Sequence, residues 1–383
     1  MRIGIDYTVT VTERAGLARH TREFVAALLE LDLVNDYVLT LTSDAKQEAG
    51  VDLLRRATTC RLPFGKWITR TGWQELRVGP PLETFTGDLD LYHSPNYLLP
   101  PLRRAKGIVT IHDLANLVYP QYTDPGMAGW FDEAVQSSIE RAARVITISE
   151  STKGELIDRL GINADNIEVI YNGVSERFAP VDEPSVLATV RRRYGVEGPF
   201  ILSVGSIDPR KNLQRLLEAY SILQQDRTIT HKLLLIGERR RWLSEDLFQR
   251  VEALDASRSV AFLGYVPEED LPALISLADV FVFPSLYEGF GLPPLEAMAC
   301  GTPVVASNAP AMPEVLGDAA LLVDPLDVAA LADALRRVLV DRELRAELVE
   351  RGLERSRRFT WTNAAKKYLE VYEKVSLGRA AVL

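Results

Sequence analysis

Cysteine and histidine are scarce in this chain of 383 residues, which has two of the first, Cys60 and Cys300, and four of the second. The two cysteines lie far apart and no Cys-x-x-Cys occurs, which argues against a zinc site or a disulfide framework and for a reducing compartment. Long apolar runs are also missing: none approaches the roughly 20 residues that a spanning helix needs. The opening residues, Met1-Arg-Ile-Gly-Ile-Asp6, read as a strand and not as a signal peptide. A cytoplasmic protein is therefore the expectation. Positive charge is in deficit, with 44 Lys and Arg against 53 Asp and Glu and a net charge of -9. A global nucleic-acid binder is usually basic, so that class is disfavoured. No low-complexity tract or short-period repeat is evident.

What is present is the composition of a folded protein, 47% hydrophobic and 25% charged. The length suits two α/β domains of roughly 180 residues each. Short apolar runs alternate with helical periods throughout. Strands are expected at Ile3–Ile5, Tyr37–Thr42, Leu89–His93, Gly107–His112, Arg144–Ser149 and Ile167–Tyr171. Helices are expected at Gly16–Leu31, at Gly129–Ala143 and from Ser151. The stretch Gly173 to Pro184, polar and twice broken by proline, reads as an interdomain linker. The rhythm then restarts, with strands at Phe200–Val204, Lys232–Gly237, Val260–Leu263, Val280–Phe283, Val304–Ser307 and Ala320–Val323. Helices fall at Leu213–Leu223, Leu271–Leu277, Pro294–Cys300 and Val328–Val340. An amphipathic segment, Trp361–Val375, ends the chain. This pattern predicts parallel, doubly wound sheets, in which ligands bind beyond the carboxyl ends of the strands.

Four strand-end segments carry candidate chemistry. Val204-Gly-Ser-Ile-Asp-Pro-Arg-Lys-Asn212 follows one strand, and Asp208 and Pro209 are suited to cap and open the helix after it. Arg210 and Lys211 then fall in the first turn, where two cations oppose the macrodipole. A bound phosphate accounts for them, as does a solvated surface pair. Pro284-Ser-Leu-Tyr-Glu-Gly-Phe-Gly-Leu-Pro-Pro-Leu-Glu296 follows another strand. Here Glu288 lies in a loop that Gly289 and Gly291 open to close backbone approach. Glu296 is expected in the first helical turn, so the two carboxylates can line one pocket. Each taken singly is equally an ordinary loop or helix-start acid. A dinucleotide-binding dehydrogenase is disfavoured, because Pro294 stands where the third glycine of its fingerprint belongs. His112, in Val109-Thr-Ile-His-Asp113, and His93 both end strands of the first half, as pocket residues or as structural histidines. Gly16 opens the first helix and is a weaker phosphate candidate.

Together these segments resemble family 4 (group 1) glycosyltransferases, the retaining enzymes of GT-B fold. The resemblance rests on Glu288-Gly-Phe-Gly-Leu-Pro-Pro-Leu-Glu296 with Ala297-Met-Ala-Cys-Gly-Thr-Pro-Val-Val305, on Gly205-Ser-Ile-Asp-Pro-Arg-Lys-Asn212, on Ile170-Tyr-Asn-Gly-Val174 and on Pro313-Glu-Val315. It implies two Rossmann-like domains facing across a cleft. Residues 1–178 would hold the acceptor, 179–358 the nucleotide sugar, and 359–383 would form a helical segment crossing back to the N-terminal domain. Catalytic roles are implied for Glu288, His112, Lys211 and Arg210. The nucleotide sugar would be bound by Gly16, Gly205, Arg210, Lys211, Val266, Glu288, Gly289, Phe290, Gly291, Leu292 and Glu296. The nucleotide sugar is a co-substrate, with no cofactor and no metal expected, since Arg210 and Lys211 can stabilise the leaving diphosphate. A glycan or lipid-linked acceptor and a mannosyl donor such as GDP-mannose follow from the same resemblance. A nucleotide-sugar epimerase and a non-catalytic nucleotide-sugar-binding protein are the alternatives. Two departures stand out: Ser206 where many members have arginine, and Gly16 alone where many have two glycines.

One further stretch runs against the overall charge. Arg55, Arg56, Arg61, Lys66, Arg70 and Arg77 face a single acid, Glu75, with Trp67 and Trp73 interleaved. A basic, tryptophan-bearing surface suits an anionic membrane face, and a solvated loop with packed tryptophans is the plainer alternative.

Overall fold

The computed structural model describes residues 1–12, 16–45, 56–75, 78–122, 130–238 and 259–378. The chain forms two compact units, one of Met1–Gly173 with Thr360–Leu383 and one of Val174–Phe359.

The first unit is built on a parallel sheet of seven strands, in the order β3-β2-β1-β4-β5-β6-β7. The strands are β1 Arg2–Asp6, β2 Asp36–Leu41, β3 Ala57–Arg61, β4 Leu91–Ser94, β5 Lys106–Ile111, β6 Arg144–Thr147 and β7 Ile167–Val169. The central strands are buried along nearly their whole length, as expected for a parallel sheet covered on both faces. The helix Gly16–Leu31 lies against it through Phe24, Val25, Leu28 and Leu29. Strand β3 departs from the sequence expectation. Its Ala-Thr-Thr-Cys-Arg run is mostly exposed, because it forms the sheet edge and has only β2 as a partner. A strand with little apolar content leaves no periodic signal.

The second unit carries a parallel sheet of six strands, in the order β10-β9-β8-β11-β12-β13. These are β8 Phe200–Val204, β9 Lys232–Ile236, β10 Val260–Gly264, β11 Val280–Phe283, β12 Val304–Ser307 and β13 Ala320–Val323. Three α-helices among the described residues of this unit were not expected: Pro184–Tyr194, Met312–Leu316 and Arg342–Ser356. Pro184 is the first residue of its helix, where a missing N–H costs nothing. Arg342–Ser356 buries only Leu348, Gly352 and Ser356, too thin a stripe to read.

The last helix, Trp361–Ser376, belongs to the first unit. Thr360 caps it by accepting from Asn363 N at 3.1 Å. Its buried stripe, Trp361, Ala364, Ala365, Tyr368, Val371, Tyr372 and Val375, joins the core beside the helix Gly16–Leu31. Lys106 Nζ closes the other end by donating to Val375 O at 2.8 Å, where a cation is favoured. The chain returns through a tight crossing: a Cβ on Gly173 would lie 2.1 Å from Trp361 N. Gly173→Ala is therefore expected to cost about 3 kcal/mol, since backbone must give way. A urea unfolding midpoint equal to that of the wild type would refute this packing argument.

Among the described residues, no helix is long and apolar enough to cross a membrane.

Candidate functional site

In each sheet the strand order reverses direction once, between β1 and β4 in the first and between β8 and β11 in the second. The crevice beyond the strand ends at such a reversal is where doubly wound sheets place ligands. The second unit has its candidate residues there. Strands β8 and β11 pair directly, with Val280 opposite Ile201 and Phe281 opposite Leu202. Their following segments therefore emerge side by side, although 77 residues separate Lys211 from Glu288.

Asp208 caps a single turn of 3-10 helix, Pro209–Lys211, by accepting from Arg210 N at 2.9 Å. Asn212 then adopts a left-handed conformation, with φ of 59°, and the helix Leu213–Leu223 starts separately. Arg210 and Lys211 are thus not in the first turn of that helix, and a helix macrodipole is not what they answer. They answer a carboxylate. Lys211 Nζ donates to Glu288 Oε1, and Arg210 Nη1 lies 3.5 Å from Glu288 Oε2 while donating to Tyr287 O at 2.9 Å. Leu286 N donates to Arg210 O at 2.8 Å, and Asn212 Nδ2 donates to Pro284 O at 3.0 Å, so one backbone bond and one side-chain amide tie the two segments together.

The trio is withdrawn from water: the Lys211 and Glu288 side chains are 14% and 11% exposed. The Lys211 ammonium also sits 4.9 Å from the centroid of the Phe283 ring. Burial pulls the Lys211 pKa down further than Glu288 raises it. Burial alone would raise the Glu288 carboxyl, but Lys211 and then Arg210 outweigh it and hold the group below its usual range. One carboxylate thus faces two basic side chains on a largely desolvated floor. A small cavity adjoins them, lined by Ser203, Gly205, Lys211, Phe283 and Ser285. Its backbone is close-packed: a Cβ on Gly237, whose φ is 156°, would meet Gly205 O at 1.8 Å.

The loop beyond Glu288 turns through Gly291 (φ 96°) into the helix Leu292–Ala299. That helix begins earlier than its prolines suggest, since Pro293 sits in its first turn. Glu296 consequently falls in the second turn, not the first, and is buried at 3% exposure. The Phe290 side chain packs edge-to-face on Phe359, their centroids 5.8 Å apart, so only its backbone is available to a ligand. Val266 is buried in the loop after β10.

His112 and Gly16 belong to the first unit. Gly16 is exposed at the start of its helix. His112 Nε2 donates to Pro95 O at 2.7 Å, and its ring meets His20 edge-on with centroids 4.6 Å apart. His20 in turn bonds Asn172 Oδ1 at 2.8 Å, and His93 bonds Tyr372 Oη at 2.7 Å and Thr110 Oγ1 at 2.8 Å. Three of the four histidines in the sequence thus share one buried cluster. His20 was not visible as a candidate, because it lies on the helix face that carries Phe24 and reads as core. Burial lowers the pKa of all three, and His93 is brought down to about 3.

Among the described residues, no group of three or more histidine, cysteine, aspartate or glutamate side chains is arranged to hold a metal ion. One Asp-x-Asp spacing does occur, Asp88-Leu-Asp90. It precedes β4, at the opposite end of the strand from the ligand-binding edge, and Asp90 accepts from Arg2 N at 2.7 Å.

The basic stretch resolves into separate parts, with Arg55 and Arg77 outside the described residues. Arg56 donates to Leu29 O at 3.0 Å and Arg61 to Thr42 O at 3.3 Å, so both brace the edge of the sheet. Arg70 pairs with Glu75 at 2.7 Å. Trp73 is core, packed against Phe64, whereas Trp67 is 74% exposed and Ile68 50%.

Residues 191–355 match the family model for glycosyl transferases group 1, and residues 14–178 match that for glycosyltransferase family 4. Among curated proteins, the chain is 35% identical over 283 residues to the O-antigen chain mannosyltransferase B of Escherichia coli, covering 74% of each chain. It is 33% identical over 274 residues to the serotype-specific mannosyltransferase WbdA of Escherichia coli, covering 70% of this chain and 34% of that one. The chain therefore spans about a third of the length of WbdA. Among solved structures, it is similar to sucrose-phosphate synthase from Thermosynechococcus elongatus, with a TM-score of 0.74 at 22% identity over 98% of both chains. The structure of Anabaena HepE in complex with UDP and glucose gives a TM-score of 0.74 at 20% identity, covering 98% of this chain and 100% of that one. At these identities the structural likeness is one of fold.

Proposed function

We propose a reaction for this chain from the premise that it belongs to the group 1, family 4 glycosyltransferases and is a hexosyltransferase of their GT-B fold. It moves a mannosyl residue from GDP-mannose to a glycan or lipid-linked acceptor, with retention of anomeric configuration and without a metal ion. The observation that carries this reading is the buried Arg210–Lys211–Glu288 trio at the reversal of the second sheet. The mannosyl assignment is supported by the names of both Escherichia coli relatives.

In this proposal Lys211 and Arg210 bind the diphosphate. Glycosyl transfer builds negative charge on the leaving phosphate and positive charge on the sugar. Fixed cations in a dry site stabilise the first more in the transition state than before it. They also supply the charge that a divalent ion would otherwise bring. Glu288 receives hydroxyls of the transferred sugar, and Glu296 the ribose. The amides from Gly289 to Leu292 contact sugar or diphosphate, Gly205 lets the phosphate approach backbone, and Val266 touches the base. His112 and Gly16 are assigned to the sugar and the diphosphate.

The test is a panel of GDP-, UDP- and ADP-sugars, followed for nucleotide release and transfer to acceptor, with and without EDTA. GDP-mannose is expected to turn over at the same rate in chelator. Preference for another nucleotide sugar would overturn the donor, and loss in EDTA restored by manganese would overturn metal independence. Interconversion of the sugar with no acceptor present would indicate an epimerase.

Peripheral contact with the cytoplasmic membrane face is proposed on a narrower footing than the whole basic stretch. Exposed Trp67 and Ile68, next to Lys66, form the surface that suits an anionic interface. Weak, salt-sensitive binding to vesicles containing phosphatidylglycerol is expected, and Trp67→Ser should reduce it severalfold. Wild-type protein left wholly in the supernatant at low salt would eliminate the contact and favour a soluble acceptor.

A further inference from the structure

Arg210 and Lys211 are not an open pair of cations. Glu288 already offsets one of them, bonded to Lys211 and 3.5 Å from Arg210, with the two cationic side chains 14% and 15% exposed. From this geometry, and resting on the donor reading above, we infer that Glu288 is a resident counter-anion that makes the site discriminate an intact nucleotide sugar from the nucleoside diphosphate left after transfer.

The argument is one of charge and hydrogen bonding. Arg210 and Lys211 bring two positive charges and Glu288 one negative charge. A nucleotide sugar carries two charges on its diphosphate, each phosphate having one ester or anhydride oxygen on either side. A free nucleoside diphosphate ends in a phosphate monoester-like group and carries close to three near neutral pH, since the last proton leaves near pH 6. Either ligand, on engaging Lys211, competes with Glu288 for its ammonium. With the sugar attached, its hydroxyls donate to the displaced carboxylate, which exchanges one partner for another. With the nucleoside diphosphate, no such donors arrive. The carboxylate is then left buried beside a more negative ligand, and a charge without partners in a dry site is costly.

The same contact thus serves two ends of the cycle. Entry of donor is coupled to sugar recognition, because only the sugar can take over the role of Lys211 toward Glu288. After transfer, Glu288 returns to Lys211 as the sugar departs, and the diphosphate loses hold of a cation. Glu288 therefore acts on specificity and on product release in addition to touching the transferred sugar.

Calorimetry on the full chain tests this, with GDP and GDP-mannose and, in parallel, UDP and UDP-glucose. Wild-type protein, Glu288→Gln, Glu288→Ser and Lys211→Ala are compared, their folding checked by circular dichroism. Both Glu288 variants should bind GDP more tightly than the wild type, by about tenfold or more, as expected for removal of a buried like charge. Their preference for GDP-mannose over GDP should shrink by a similar factor. Lys211→Ala should weaken both ligands. If Lys211→Ala weakens GDP while neither Glu288 variant tightens it, the counter-anion role is wrong and the donor site stands. If Lys211→Ala leaves GDP binding at the wild-type level, the donor-site reading itself falls.

Discussion

Lys211→Ala is expected to lower kcat/KM by a factor of about 10²–10³, the loss seen when one preorganised charge-stabilising donor is removed from a dry active site. The size follows from where Lys211 is. Its ammonium is held by Glu288 and by the Phe283 ring, against repulsion from the neighbouring guanidinium of Arg210. A cation so placed needs no reorganisation as charge develops on the leaving diphosphate. Arg210 cannot substitute for it, because its guanidinium is also committed to Tyr287 O at 2.9 Å. Deletion has a second consequence: Glu288 loses its nearest cation and keeps the longer contact to Arg210, so its carboxylate is less well compensated. Binding of nucleoside diphosphate should weaken together with turnover. Steady-state kinetics over the donor concentration, with calorimetry alongside, measure both. A kcat/KM within threefold of the wild type would remove Lys211 from the chemistry.

Acid is expected to destabilise the first unit well before its carboxylates titrate. His20, His93 and His112 are buried with their pKa values lowered, chiefly by desolvation. In the unfolded chain each takes up a proton near the ordinary value of about 6.5. Below that pH the unfolded state binds more protons than the folded one, so stability falls as pH falls. It is fully present above about pH 6.5 and continues to drop toward the folded value, which for His93 is about 3. At about 1.4 kcal/mol per unit, His93 alone costs about 2 kcal/mol by pH 5, and His20 and His112 add in the same direction. The window between pH 6.5 and 5 lies above most aspartate and glutamate values and isolates the histidines. Urea midpoints across it, read from the fluorescence of buried Trp361, should fall. His93→Gln keeps groups able to bond Tyr372 and Thr110 and removes the titration, so its slope should be shallower. Midpoints independent of pH in this window would show that the cluster is not held neutral.

Much of this molecule is written locally. Parallel strands buried on both faces must be short apolar runs, which is why β1, β5, β8, β11 and β12 are legible at nearly their observed limits. The segments after β8 and β11 are legible for a related reason: charged residues at the end of a buried strand have no packing role there, so they signal a ligand edge. Asp208 was legible as a cap but closes only a 3-10 turn, the following helix starting separately after Asn212, and the cap at Thr360 was not read. Elements with weak local contrast were not readable. The edge strand β3 presents threonines to solvent, and the helix Arg342–Ser356 is charged on most of its surface.

What the chain alone could not show is which distant residues become partners. Lys211 meets Glu288 because β8 and β11 are neighbours at the point where the sheet reverses, a property of strand order that no window of sequence contains. That contact set Glu288, read as a sugar ligand, against Lys211 and Arg210, read as phosphate ligands. Likewise His20, from a helix, meets His112, from a strand end, and the last helix lays Tyr368 against His20 and His93 and Tyr372 against His93. Composition and period determined the two α/β units and the strand ends that carry the candidate residues, because burial of short apolar elements acts over a few residues. The ionisation of the site and of the histidine core was decided by tertiary structure, because solvent exclusion and charge pairing act through space.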